Sequence, residues 1–114
     1  MMPAKKKAME VVDGIFLDPV PITLGEEVKI KYKGLLASSG ADKVYLHAGY
    51  GSEQWDKVMD IPMRKTRDGG WSVSVQVSEP NAFNFCFRDN SQNWDNNNGR
   101  NWTYQVHTGD SEMH

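Results

Sequence analysis

Cysteine is nearly absent. Cys86 stands alone among 114 residues, which excludes an internal disulfide framework and any zinc site built from several thiolates. A basic excess is missing too: thirteen Lys and Arg against fifteen Asp and Glu leave a formal charge of −2. A surface that neutralises many phosphates needs the opposite balance, so nucleic acid is not an expected partner. No apolar run approaches the roughly 20 residues of a membrane-spanning helix, so no membrane partner is expected. The three histidines form no His-x-x-x-His or Cys-His spacing, and neither metal nor cofactor is expected. Lys5-Lys6-Lys7 begins like a secretory signal, but Glu10 and Asp13 interrupt the apolar stretch that should follow. The chain as it stands therefore reads as cytoplasmic, or as secreted if it is a piece of a larger enzyme.

Helical periodicity is also scarce, and what replaces it is alternation. Val28, Ile30 and Tyr32 alternate with lysines in 26–33; Val44, Leu46 and Ala48 alternate with Tyr45 and His47. Trp71, Val73, Val75 and Val77 form a third apolar face, and Phe83, Phe85 and Phe87 a fourth, opposite Asn84, Cys86 and Arg88. Trp102, Tyr104 and Val106 close the series within 101–107. Breakers separate these runs: Pro19, Pro21, Gly34, Ser38-Ser39-Gly40, Asp68-Gly69-Gly70, Glu79-Pro80-Asn81 and an Asn-rich tract ending at Gly99. Short strands between polar turns predict an all-β, single-domain antiparallel β-sandwich. Its expected span is residues 10–107, with 1–9 a disordered lead-in and 108–114 a flexible tail.

Aromatics are plentiful, with four each of Trp, Tyr and Phe. The tryptophans divide into two pairs. Trp71 and Trp102 lead apolar strand faces and are expected in the core. Trp55 and Trp94 lie in polar loops, where no period draws them inward, and two such rings read as a contact surface. The competing expectation is that each folds back to cap the sandwich edge. His47 shares the outward parity of its strand and joins the candidate set.

A flat ring suits a neutral, hydroxyl-rich ligand for a physical reason. A sugar ring has C–H groups on its faces and hydroxyls on its rim. An indole covers the face, burying apolar area against its negative π cloud. Asn and neutral His then meet the rim hydroxyls as both donors and acceptors.

At these residues the sequence resembles the starch-binding carbohydrate-binding modules of family 25, with the related family 53 close by. The segments that carry the likeness are Val44–Gly51 followed by Trp55, then Met63 and Gly70-Trp71. The most specific is Phe83–Asp89 running into Trp94-Asp95-Asn96-Asn97-Asn98-Gly99-Arg100-Asn101-Trp102. The resemblance covers about residues 20–107. It implies an immunoglobulin-like β-sandwich, not an enzyme, that binds α-1,4-linked glucan such as starch, glycogen or malto-oligosaccharides. It assigns His47, Trp55 and Trp94 to the ligand, with Asn96 and Asn97 chosen from the turn and Asp95 as an alternative that pins the loop.

Three rival functions remain open at this level. A glycosidase would need two carboxyl groups about 5–9.5 Å apart, for which Asp56, Asp60, Asp89 and Asp95 are candidates. A calcium site would use the oxygen-rich 89–99 tract, although the EF-hand spacing fails there. A protein-interaction sandwich would use the same loop aromatics.

Overall fold

The computed structural model describes residues 8–12 and 14–108. Residues 1–7 of the expected 1–9 lead-in and 109–114 of the expected 108–114 tail lie outside the described residues. In chain order the elements are β1 (Ala8–Val12), β2 (Ile15–Val20), β3 (Ile22–Thr23), β4 (Glu27–Tyr32), α1 (Leu35–Ser38) and β5 (Val44–Tyr50). They continue with β6 (Asp56–Pro62), β7 (Arg64–Lys65), β8 (Trp71–Gln76) and β9 (Phe83–Asp89). Last come β10 (Trp94–Asp95), β11 (Trp102–Tyr104) and β12 (Val106–His107).

One antiparallel sheet runs β1-β2-β4-β8-β7 and the other β10-β9-β5-β6, with β11 also on β9. The short β12 pairs in parallel with β3. The chain is thus a β-sandwich, and the alternation explains its packing. Val28, Ile30 and Tyr32 of β4 are buried while Glu27 and Lys29, which flank Val28, are exposed. Facing them, Phe83, Phe85 and Phe87 of β9 are fully buried, and Tyr32 stacks on Phe87 with ring centroids 4.0 Å apart. Each such side chain contributes roughly 1.5–3 kcal/mol on burial. Trp71 and Trp102 are core residues, 5% and 7% exposed.

The structure corrects the sequence reading in several places. Ala8 and Met9, read as lead-in, belong to β1, which pairs with β2. Pro19 does not break β2, which continues to Val20. A single helical turn, α1, forms where no helix is expected; the Ser38 and Ser39 hydroxyls donate to the Leu35 carbonyl and tie it off. The last run is two strands rather than one, divided at Gln105. The Asp68-Gly69-Gly70 signal does mark the turn of the β7–β8 hairpin: Thr66 N–H donates to the Gly70 carbonyl, and Gly69 takes the positive φ that glycine accepts readily.

One feature of topology positions the site. β5 occupies one edge of β9 along its whole length, and β10 and β11 share the other. Asp95 is paired with Phe87 and Trp102 with Phe85, so residues 96–101 loop out opposite Cys86 alone. The Asn-rich tract is this ejected loop.

Candidate functional site

The outward face of β10-β9-β5-β6 carries a row set by register. His47 of β5 lies between Asp60 of β6 and Cys86 of β9. Two residues along, Tyr45 faces Arg88, and Arg88 faces Trp94. Strand pairing therefore puts His47 and Trp94 on one surface although 47 positions separate them in the chain.

Trp55 arrives from the β5–β6 connection and lies against Gly49. A Cβ at position 49 would sit 2.8 Å from the Trp55 Cβ and 3.1 Å from its Cε3, so the missing side chain is what lets the indole close down on β5. His47 stands between the two indoles. Its centroid is 5.8 Å from that of Trp55 with planes 33° apart, and 5.1 Å from that of Trp94 with planes at 90°. The two indole planes must then be inclined to each other by at least the difference of those angles, more than half a right angle. Trp94 is 43% exposed, whereas Trp55 is half-buried and packs partly on the core.

The imidazole is fixed from below. Asp60 Oδ1 lies 2.9 Å from His47 Nδ1 and 3.0 Å from Arg88 Nε, and the Arg88 guanidinium sits 4.3 Å above the Tyr45 ring centroid. A carboxylate only accepts, so the proton of a neutral His47 resides on Nδ1 and Nε2 keeps its lone pair. Burial pushes the Asp60 carboxyl up, but the hydrogen bonds from His47 and Arg88 outweigh that and hold it below the ordinary carboxylate value.

The Asn tract owes much of its composition to backbone shape. Asn97, Asn98 and Asn101 have φ of 57°, 55° and 59°, a left-handed region that Asn tolerates better than most residues. Asn97 Nδ2 donates to the Asn101 carbonyl, and Asn96 Oδ1 accepts from Gly99 N–H. Asp95 turns inward, where its Oδ2 accepts from the Tyr32 hydroxyl at 2.5 Å and pins β10 to the core.

An open, shallow cleft of about 400 Å³ lies on this face. His47, Trp55, Trp94 and Asn96, four of the residues that the resemblance assigns to the ligand, line it together. Asn97 is not among the lining residues; its amide is committed to the turn. The sequence reading missed Glu53, Val58, Cys86 and Asn101, which also line the cleft. Asn101 is the more serviceable amide, because its side chain has no hydrogen-bond partner among the described residues. Cys86 was legible from parity, since it shares the outward face of β9; burial pushes its thiol up to about 11, so it is neutral here.

The cleft offers rings, amides and one carboxylate, Glu53. A glycosidase pair is not assembled among the described lining residues. Nor does the 89–99 tract present free carboxylates for calcium. Asp89 accepts from Ser91 N–H, Asn93 N–H and Asn93 Nδ2, while Asp95 serves Tyr32.

Comparison with known proteins agrees with this chemistry. The chain is 35% identical over 80 residues to an α-amylase of Clostridium acetobutylicum, covering 69% of the chain and 10% of the amylase. The chain thus spans about a tenth of that relative. Its fold aligns with the iodinated family 25 carbohydrate-binding module from a Bacillus halodurans amylase, at a TM-score of 0.53 and 25% identity over 74% of this chain and 87% of that one. The family model of the starch/carbohydrate-binding modules, family 53, matches residues 28–85, a span that contains His47 and Trp55 and ends before Trp94. The chain belongs to this family of carbohydrate-binding modules.

Proposed function

We propose that the cleft binds α-1,4-linked glucan, the class containing starch, glycogen and malto-oligosaccharides. The observation that carries this reading is the inclination of the two indole planes about His47. Successive units of an α-1,4 chain curve and do not share one plane, so inclined platforms favour them over the flat ribbon of a β-1,4 chain. Trp55 and Trp94 cover sugar faces. His47 Nε2 accepts a hydroxyl proton, and Asn96 and Asn101 exchange hydrogen bonds with the rim. The starch-binding description of the family and the α-amylase relative both support an α-glucan.

Each stacked unit contributes on the order of 0.5–1.5 kcal/mol beyond area burial. After association entropy, one site binds at roughly micromolar to millimolar strength. Affinity electrophoresis through glycogen, amylose, pullulan, cellulose and xylan tests the reading. Retardation is expected in the first three gels only, and is lost in Trp55→Ala and in Trp94→Ala. Equal retardation of both variants and the parent would place the site elsewhere.

A further inference from the structure

Among the described residues the exposed large apolar side chains are Leu35, Val58 and Trp94, at 60%, 50% and 43%. They are not scattered. Val58 and Trp94 line the cleft around His47, and Trp94 and Leu35 line a second cleft of about 280 Å³. Trp94 is the wall common to both. The exposed apolar surface is therefore one track, running from Val58 over Trp94 to Leu35, and such continuity marks a binding surface more than isolated exposure does.

The far end of the track is rigidly built. Leu35 sits on α1, whose backbone is tied to the core edge: Leu36 N–H donates to the Tyr32 hydroxyl, and Tyr32 donates to Asp95 beside Trp94. The opposite wall is the turn that follows β9, held by the three hydrogen bonds that Asp89 accepts. Those bonds occupy Asn93 Nδ2 and leave Asn93 Oδ1 as an acceptor. The Ser39 hydroxyl, which donates to Leu35, likewise keeps its oxygen lone pairs. Apolar walls with acceptors at the margin repeat the chemistry of the first cleft.

We infer that this second cleft is a further subsite, which takes the next units of the same α-glucan strand as it passes over Trp94. The inference rests on the glucan reading of the first cleft. It makes affinity depend on chain length through Leu35, a residue that does not line the first cleft.

Calorimetric titration with maltotriose and maltoheptaose tests it. A three-unit site can engage a seven-unit chain in five registers, so about a fivefold gain is statistical and independent of position 35. The wild type is expected to gain about twentyfold, the excess coming from the subsite. Leu35→Ser should return the gain to about fivefold while leaving maltotriose affinity unchanged within about twofold; Leu35→Met should keep the wild-type gain. Because Leu35 is exposed, thermal melts should show all three proteins folded. An undiminished gain in Leu35→Ser overturns the subsite and leaves the first cleft standing. Failure of the wild type to bind either sugar overturns both readings together.

Discussion

The sheet β1-β2-β4-β8-β7 turns Lys29, Lys31, Ser72 and Ser74 outward, and the sheet β10-β9-β5-β6 turns out Tyr45, His47, Cys86, Arg88 and Trp94. The inner faces are alike, both supplying aromatics and branched aliphatics to one core. On the first outer face the Lys31 ammonium lies 5.6 Å over Phe16, and Lys33 pairs with Asp68 at 3.9 Å. On the second, polar groups are spent holding a ring in place, since Asp60 and Arg88 together fix His47. The inner faces build the core; the recognition proposed above uses one outer face, where Asp60 and Arg88 already hold His47, so that little entropy would remain to be lost there on binding.

Substitutions can sharpen this contrast. The largest effect is expected from Gly49→Val, whose side chain occupies the space of Trp55; affinity for maltoheptaose should fall more than tenfold, about 1.4 kcal/mol or more, and the melt should also fall, because the displaced indole packs partly on the core. Asp60→Asn comes next. Its amide can donate to Nδ1 and shift the proton to Nε2, so titration should show roughly a three- to tenfold loss, the size of one net hydrogen bond. Asn97→Ala strains a left-handed position and frees the Asn101 carbonyl, which should lower unfolding free energy by about 1–2 kcal/mol in denaturant titration. Its effect on affinity should be smaller than that of Asp60→Asn. Lys31→Ala, on the other outer face, should change affinity by less than about twofold.

Acid acts on both faces through stability. Hydrogen bonds, from the Thr66 hydroxyl to Asp68 and from Asn93 to Asp89, hold those carboxyls below their ordinary value of 3.8, as His47 and Arg88 do for Asp60. The unfolded chain therefore takes up protons before the folded chain does. Stability from these groups is complete above the unfolded value and is lost as pH falls through the lowered folded values. Melting temperature should be insensitive to these three groups from neutrality down to about pH 5 and fall as pH drops below about 3.8.

Local rules made much of this legible. Period-two alternation located β4, β5, β8 and β9 and assigned Trp71 and Trp102 to the core, because one-sided burial is written directly in such a pattern. The same parity placed His47 outward. What stayed hidden depends on pairing between distant strands. Nothing near Asp60 in the chain announces that it will hold His47, since β5–β6 register alone brings them together. The exposed strand β6 lacks a clean alternation to read. In the Asn tract composition spoke for two causes at once: Asn97 is there for its φ, whereas Asn101 combines an unusual φ with a side chain at the cleft. Leu35 carried no signal at all, because a single helical turn is too short to show a period.

Titrating isotope-labelled protein with maltoheptaose, while following backbone and indole amide resonances, tests the central claim most directly. The shifted resonances should gather on Trp55, Trp94 and their indole N–H groups, with His47, Cys86 and the 96–101 loop, while Lys29, Lys31, Ser72 and Ser74 stay still. Shifts concentrated on those lysines and serines, with both indoles unmoved, would contradict it.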